Sequence, residues 1–166
     1  MSVDKVREYL RTYGFEDRIR EFDISTATVA DAAEAVGVIP ARIAKTLSFQ
    51  SEEYGCILVL MAGDAKVDNK KYRAQFGVKP HMLTHEDALH YTGHAVGGVC
   101  PFAVPDNIPV YLDVSLKRFD TVFPAAGSAA SAVRLTCDEL ERASRSRGWI
   151  DVCKGWEDGQ QAPRPI

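Results

Sequence analysis

Residues 46–62 have the sequence TLSFQSEEYGCILVLMA, and this stretch decides the fold class. It contains two apolar segments, Thr46–Gln50 and Cys56–Ala62, separated by a short polar connection that ends at Gly55. Short apolar runs on either side of a polar, glycine-containing turn are typical of a β-hairpin. The sequence therefore predicts two neighbouring antiparallel strands here.

Helical patterns surround this hairpin on both sides. A residue that can cap a helix precedes most of them, and a glycine follows most of them. The predicted helices span residues 2–14, 28–37, 40–45, 68–77, 84–93 and 136–147. Further short strands are predicted over residues 18–23, 110–112, 122–123 and 132–135. Because strands cluster in hairpins among helices, the sequence predicts an α+β domain with a mixed sheet rather than a doubly wound parallel sheet.

Length and composition favour one globular domain. The chain has 166 residues, of which 46% are hydrophobic and 26% charged, values close to those of an average soluble protein. We expect a single domain over residues 1–156 and a flexible tail over the polar, proline-rich residues 157–166. The net charge of -3 excludes a protein that coats polyanions with a strongly basic surface, but it allows a local basic patch.

The cysteines and the apolar runs indicate a cytoplasmic protein. The four cysteines form no C-x-x-C pair, which argues against a zinc ribbon and a thioredoxin-like site. The longest apolar run, Cys56–Ala62, is far shorter than the roughly 20 residues that span a bilayer. The N-terminus shows no apolar core of a signal peptide, so we expect reduced thiols and no contact with a membrane.

Familiar catalytic and cofactor motifs are missing from the sequence. Gly63–Lys66 lacks the ending of a phosphate-binding loop, and no G-x-G-x-x-G opens a helix. Gly127–Ser131 lacks the second glycine of a serine-nucleophile elbow. The four histidines have no H-E-x-x-H spacing, which favours surface or capping roles over a metal site: His81, His85, His90 and His94.

Lys45 and the loop Gly97–Pro101 are two unusual places. Lys45 stands between apolar residues at a predicted helix-to-strand junction, where it either ends the helix or directs a cation into a pocket. Gly97 and Gly98 leave backbone N–H groups uncovered, and Pro101 stiffens the exit from the loop. Such a loop is either a tight turn or a set of donors for a carbonyl or an oxyanion.

Two further places carry a reactive group or a concentration of charge. Cys100 lies in the same loop, close to His94, which leaves open a thiol nucleophile with a histidine base or simply a packed thiol. Residues 63–79 contain five Lys or Arg against two Asp, a local charge of +3. This stretch fits either an anionic partner or an ordinary solvated helix face.

Taken together, these places resemble the YbaK/EbsC-type aminoacyl-tRNA deacylases, which are free-standing relatives of the editing domain of bacterial prolyl-tRNA synthetases. The similar motifs follow the order found in that family: Ile43–Leu47, Ala62–Asp64, Val67–Lys71, Thr92–Phe102, Val110–Asp113, Pro124–Ser128 and Leu135–Leu140. The resemblance spans roughly residues 24–140. It implies an α+β fold with a mixed, barrel-like sheet flanked by helices.

The resemblance also implies a reaction and the residues that serve it. The family hydrolyses the ester between a wrong amino acid and the 3′ end of tRNA, through a water molecule assisted by the ribose hydroxyl of the substrate. Its lysine falls on Lys45, and its Gly-x-x-x-Pro loop falls on Gly97, Gly98 and Pro101. The residues expected to contact the substrate are Thr26, Thr28, His94, Val99, Cys100, Ser128 and Ser131. Those expected to contact tRNA are Lys66, Lys70, Lys71 and Arg73.

The implied reaction uses no protein nucleophile, no metal and no other cofactor. The implied partners are the acceptor end of an aminoacyl-tRNA and, transiently, prolyl-tRNA synthetase. Two positions depart from the family. A phenylalanine that lines the site in some members falls on Thr28, and a late acidic residue of some members falls near Ala132. These departures leave open which small amino acid is removed, from tRNA(Pro) or another tRNA.

Two other functions compete with this interpretation. One is a non-catalytic binding module of the same fold that associates with tRNA or a synthetase. The other is a hydrolase that depends on Cys100, which thiol alkylation would distinguish. The sequence favours the deacylase, because a degenerate copy could have lost either Lys45 or the complete Gly97–Pro101 loop.

Overall fold

The computed structural model describes residues 2–156, and the predicted tail over residues 157–166 lies outside them. The helices are α1 (Ser2–Arg11), α2 (Val29–Val36), α3 (Asn69–Phe76), α4 (His85–Thr92) and α5 (Cys137–Ala143). The strands are β1 (Ile19–Glu21), β2 (Ile43–Ser51), β3 (Gly55–Ala62), β4 (Lys66–Val67), β5 (Val110–Asp113), β6 (Thr121–Pro124), β7 (Ser131–Val133), β8 (Leu135–Thr136), β9 (Trp149–Ile150) and β10 (Cys153–Lys154). No helix within this range has the length and apolar composition needed to cross a bilayer.

The centre of the fold is the predicted hairpin. Strands β2 and β3 pair in antiparallel register from Ala44 opposite Ala62 to Ser51 opposite Gly55. Strand β6 joins β2 in parallel, and β5 joins β3 in parallel, giving a six-stranded sheet in the order β8-β6-β2-β3-β5-β9. Two small sheets pair β1 with β7 and β4 with β10. The prediction of an α+β fold with a mixed, barrel-like sheet is confirmed.

Strand β3 is buried along nearly its whole length, whereas β2 is only partly buried near its middle. Helix α3 packs its aromatic side chains on the sheet. The ring centroids of Tyr72 and Phe49 are 5.0 Å apart, and those of Phe76 and Tyr111 are 5.2 Å apart. Burying such large rings supplies much of the apolar area that stabilises a domain of this size.

The helix starts follow the capping signals. The hydroxyl oxygens of Thr28 and Thr84 accept from the amides of Asp31 and Asp87, which opens α2 and α4. A carboxylate oxygen of Asp68 accepts from two amides at the start of α3. Thr136 and Glu139 form the complete capping box of α5. Each cap satisfies amides that have no partner inside the helix, so these four predictions are confirmed.

Two predicted helix boundaries are wrong. The helix expected over residues 40–45 is a single 3₁₀ turn, Pro40–Arg42, because Ile43 and Ala44 pair with β6 and so begin β2. Lys45 is therefore a strand residue and not a helix-end residue. Helix α5 ends at Ala143 rather than near residue 147, because Arg145 has φ 53° and the amide of Arg147 bonds to β5.

Candidate active site

A cleft of about 330 Å³ opens beside β2, between α2, α4 and the loop that follows α4. A volume near 300 Å³ lies at the lower end of the range in which proteins hold small ligands. Apolar side chains form most of its wall: Val29, Ala32, Ile43, Leu47, Met82, Leu83, Val96, Val99 and Phe123. Polar groups enter it at few points, chiefly through Thr26, Thr28, Lys45, Thr46, Ser48, His85 and Ser131.

The floor of the cleft is an unpaired edge of β2. Strand β6 pairs with β2 only at Ile43 and Ala44. Further along, the carbonyl oxygen of Ser48 accepts a hydrogen bond from the amide of Leu83, and the amide of Gln50 donates one to the carbonyl oxygen of His81. Since alternate residues of a strand direct their backbone groups to the same edge, the N–H and C=O of Thr46 face this edge as well. One peptide-sized gap in the pairing thus lies open at the cleft.

Thr46 adds a second unsatisfied group that the sequence analysis missed. Its Oγ1 is buried and has no hydrogen-bond partner among the described residues. Leaving a buried hydroxyl unpaired costs about 1–3 kcal/mol, so such groups often mark the position of a ligand. The sequence offered one hint of this role, because Thr46 directly follows Lys45. The burial of the Thr46 hydroxyl depends on segments distant in sequence, so no local pattern could predict it.

Lys45 lies at one end of the cleft, opposite Met61 of β3. Its Nζ is 3.4 Å from the carbonyl oxygen of Gly63. Burial lowers the pKa of Lys45 below its ordinary value, and Lys66 adds to this, whereas Cys153 and Asp64 oppose it. Asp64 itself is held by Arg118 through bonds of 2.6 and 3.1 Å. The ammonium of Lys45 thus faces the cleft as a partly desolvated cation whose nearest carboxylate is already paired.

The glycine loop contributes backbone donors, but from different residues than expected. The amide of Gly98 donates to Ala95 at 2.9 Å and closes a turn. A β-carbon on Gly98 would lie 2.6 Å from the backbone of Ser128, so this glycine permits close packing behind the cleft. Within the described chain, the amides of Gly97 and Val99 donate no hydrogen bond, and both residues line the cleft. Pro101 is buried and does not line it.

Thr26 and Ser131 form the polar wall facing Lys45's strand, and Ser128 supports it from outside the cleft. The Oγ of Ser131 accepts from the amides of Ala126 and Ser128 and donates to the carbonyl of Ser128 at 3.1 Å. The amide of Ser131 donates to Thr26 Oγ1 at 3.1 Å. These bonds fix the wall before any ligand arrives, so its shape is pre-organised.

His94 and Cys100 lie behind the loop rather than in the cleft. The Nε2 of His94 is 2.8 Å from the carbonyl oxygen of Phe102 and 3.5 Å from Cys100 Sγ. Burial lowers the pKa of His94, which favours the neutral ring. Burial also raises the pKa of Cys100 to about 12. A fully buried, protonated thiol cannot act as a nucleophile, so the geometry favours the packed thiol.

No acidic side chain is among the described residues that line the cleft. Ala132 lines it at the position where some family members place an acid, and Thr28 stands at its exposed mouth while its hydroxyl caps α2. His85 also lines the cleft, which the sequence analysis did not predict, since it favoured surface or capping roles for the histidines. Lys45 and His85 are therefore the titratable groups of this wall.

The four histidines do not converge. His94 is buried behind the loop and His85 lies at the cleft, whereas His81 and His90 line a separate groove near the hairpin turn. Among residues 2–156, no three His, Cys, Asp or Glu side chains are close enough to share a metal ion.

The predicted tRNA-binding residues lie outside the cleft. Lys66, Lys70 and Arg73 are exposed. Lys71 instead contacts the protein itself, since its Nζ is 3.1 Å from Asp151 and 2.9 Å from the carbonyl oxygen of Cys153. These contacts fasten the C-terminal strand to α3.

Comparison with known proteins shows which family this chain resembles. The sequence model of the aminoacyl-tRNA editing domain matches residues 24–143. Protein YwhH of Bacillus subtilis is 54% identical over 157 residues, which cover 95% of this chain and all of that protein. A crystal structure described as "a putative trans-editing enzyme for prolyl tRNA synthetase" superposes with a TM-score of 0.83 at 32% identity, covering 93% of this chain and 98% of the other.

More distant relatives carry names that refer to tRNA. The "Putative Cys-tRNA(Pro)/Cys-tRNA(Cys) deacylase EbsC" of Enterococcus faecalis is 28% identical over 109 residues, 65% of this chain and 66% of that protein. A proline–tRNA ligase of Limosilactobacillus fermentum is 28% identical over 54% of this chain, which corresponds to 17% of the ligase. The predicted resemblance is confirmed: the chain belongs to the aminoacyl-tRNA editing domain family, in its YbaK/EbsC-type branch.

Proposed function

We propose that this protein is a trans-editing deacylase, which hydrolyses the ester between a small wrong amino acid and the 3′ end of a tRNA. One observation carries the proposal. A chain of the editing family holds an apolar cleft with a partly desolvated lysine and an open strand edge, and no acidic residue is among the described residues that line it. An aminoacyl ester offers a carbonyl, an ammonium and a small side chain, which these groups complement.

The proposed mechanism assigns binding and polarisation to the protein. The amides of Gly97 and Val99 stabilise the negative charge that develops on the ester carbonyl oxygen, as donors of an oxyanion hole do. Lys45 holds the ribose end of the ester. A water molecule attacks the carbonyl carbon, and the 2′-hydroxyl of the terminal ribose assists that attack. The ester oxygen then leaves with a proton, which releases the free amino acid and the tRNA.

No carboxylate is among the described lining residues, so the proposal assigns the assisting role to the ribose hydroxyl of the substrate. Cys100 is buried behind the loop, which argues against a covalent thioester route. A substrate that ends in 2′-deoxyadenosine should therefore react at least tenfold more slowly than its ribose counterpart.

The apolar wall sets an upper limit on the amino-acid side chain. Val29, Ala32 and Phe123 narrow a cleft of about 330 Å³, which must also admit the ester and part of the ribose. The volume that remains beside the ester and the ribose fits an amino-acid side chain of one to three heavy atoms. The α-ammonium of the amino acid finds acceptors at the carbonyl of Thr46 and at its Oγ1.

The proposal includes the surroundings of the reaction. The substrate is the acceptor end of an aminoacyl-tRNA, from tRNA(Pro) or another tRNA that carries a small wrong amino acid. A transient association with prolyl-tRNA synthetase in the cytoplasm would deliver such a substrate, and the similarity to the prolyl ligases supports it.

A deacylation panel tests the proposed function. tRNA(Pro) carrying Ala, Cys, Ser, Thr or Pro, and the cognate Ala-, Ser- and Thr-tRNAs, are incubated with the wild-type protein and with Lys45→Ala. We expect hydrolysis of at least one mischarged species, at a rate well above that of Lys45→Ala. Equal rates for both proteins across the panel, with tRNA still bound, would favour the non-catalytic binding module.

A further inference from the structure

Lys66 and Lys154 lie directly opposite each other on the two-stranded sheet formed by β4 and β10. The β-carbons of such cross-strand partners are about 4.5–5.5 Å apart, and like charges at this separation repel. Both lysines are exposed, and the side chain of neither makes a hydrogen bond or an ion pair within the described chain. The pair therefore weakens the sheet that carries it.

The surrounding carboxylates are largely engaged elsewhere. Asp64 binds Arg118 in two hydrogen bonds, and Asp151 binds Lys71. Asp68 lies close enough to Lys154 for the lysine charge to lower the pKa of Asp68, but both cap bonds of α3 fall on this carboxylate. Within residues 2–156, the surface around the pair thus keeps an excess of positive charge that no ion pair neutralises.

The same pair lies near the cleft. The charge of Lys66 acts on Lys45 and contributes to the lowered pKa of Lys45. The surface near Lys45 thus carries two further cations, Lys66 and its cross-strand partner Lys154. Among the lining residues of the cleft itself, the large apolar side chains of Met82 and Val96 are exposed, each 55% accessible.

We propose that Lys66 and Lys154 together bind the sugar–phosphate backbone of the RNA strand that leads into the cleft. The inference rests on the proposed deacylase function for the identity of that strand. A phosphodiester between two opposed ammonium groups removes their repulsion, and each contact releases counterions from the RNA. Lys154 is separated from Lys66 by 87 intervening residues, so no local charge pattern assigns it to this surface.

The test uses a fluorescent RNA minihelix that has a single-stranded CCA end and carries no amino acid. Its binding is measured by fluorescence anisotropy between about 50 and 200 mM salt. Lys66→Glu and Lys154→Glu should each weaken binding about tenfold and reduce the slope of log K against log salt by about 0.7–0.9. Arg142→Glu is the control for charge reversal, since Arg142 is also exposed but lies on α5. It should match the wild type in affinity and slope.

Melting temperatures separate a binding role from a structural one. Lys154→Gln removes the repulsion from Lys66 and also the attraction to Asp68, so its melting temperature should stay within about 2 °C of the wild type while RNA binding weakens. A larger fall in the melting temperature, or RNA binding by Lys154→Glu equal to that of Arg142→Glu, would overturn the assignment.

The minihelix carries no amino acid, so this result stands apart from the deacylation panel. Weakened RNA binding together with an inactive panel would reject the deacylase and keep the RNA contact. An active panel with unchanged RNA binding would reject the contact and keep the deacylase. For an active enzyme, the kcat/KM ratio of full tRNA to aminoacyl-adenosine should fall about tenfold in Lys154→Glu.

Discussion

The ammonium of Lys45 lies 3.4 Å from the carbonyl oxygen of Gly63, at the end of the strand that pairs with its own. A β-carbon on Gly63 would lie 2.1 Å from the carbonyl oxygen of Pro40, so only glycine fits here. The tight packing brings a carbonyl oxygen within reach of the lysine and holds the ammonium at the cleft. One contact thus orients a cation without neutralising it.

Replacing Lys45 should remove activity and spare the fold. Lys45→Met keeps much of the apolar stem and removes a cation that burial already disfavours, so the melting temperature should stay near that of the wild type. Losing a contact that supports the transition state typically costs about 10²-fold in kcat/KM. Steady-state deacylation and circular dichroism melts measure both effects. A folded Lys45→Met enzyme with wild-type kcat/KM would leave this lysine without a role in the reaction.

Gly97→Val should damage the site for steric reasons. Gly97 has φ 85°, and a β-carbon there would lie 2.9 Å from the Cβ of Ala129 and 3.1 Å from that of Ala27. The matched control is Gly14→Val, because Gly14 has φ 79° but nothing within 4 Å of an added β-carbon. Both variants carry the strain of a positive φ. We expect a loss of kcat/KM of at least tenfold for Gly97→Val alone, and similar losses in both variants would show that the loop is an ordinary turn.

Thr46→Val should separate stability from activity. The substitution removes a buried hydroxyl that has no partner and keeps the shape of the side chain. We expect the free energy of unfolding to stay constant or to rise by about 1 kcal/mol, because no unpaired group remains buried. Deacylation should fall severalfold if the hydroxyl meets the ammonium of the amino acid. Urea denaturation and kcat/KM report the two effects, and unchanged kinetics would argue against this contact.

Cys100→Ala should lower stability and leave the reaction intact. The thiol is fully buried, so its loss creates a small cavity that costs about 1 kcal/mol. Iodoacetamide should label Cys100 in urea but not in the native protein, because burial raises its thiol pKa to about 12. Mass spectrometry of the labelled peptides checks this. Complete loss of activity in a folded Cys100→Ala protein would support the thiol-dependent hydrolase.

Stability should fall when the pH is lowered through the titration range of histidine. Burial lowers the pKa of His94 below its ordinary 6.5, so the unfolded chain binds more protons than the native one as the pH falls below about 7. This group alone contributes a loss of up to about 1.4 kcal/mol per pH unit. Urea denaturation from pH 7.5 to 5 measures the slope. His94→Gln should flatten it, while the exposed His81→Gln is the matched control and should keep it.

Local signals in the sequence predicted the helix starts well, because a cap depends on two residues three positions apart. Thr84 and Thr136 illustrate this, since each hydroxyl bonds the amide that the spacing indicates. The start of β2 could not be predicted in this way. Ile43 and Ala44 are drawn into the sheet by Phe123 and Pro124, about 80 residues later, and that pairing overrides the helical pattern after Pro40.

In the candidate site too, local motifs predicted some residues, whereas contacts between distant segments decide the others. Lys45 and Gly97 were predicted from motifs, and both line the cleft. His94 and Cys100 belong to the same motif but face the other side of the loop, because packing and not spacing decides which side a loop residue takes. Phe123 and Thr46 escaped notice, since the cleft wall is assembled from segments that are distant in sequence.

The gap in the pairing of β2 also bears on how the protein avoids aggregation. A long unpaired strand edge invites another chain to add as a strand, and natural proteins keep such edges short. Here β6 closes one end of the edge at Ala44, and the hydrogen bond from the amide of Leu83 to the carbonyl oxygen of Ser48 closes the other end. The remaining opening is too short to hold a further strand. The N–H and C=O of Thr46 thus stay available to a small ligand, while the short edge disfavours strand addition by another copy of the chain.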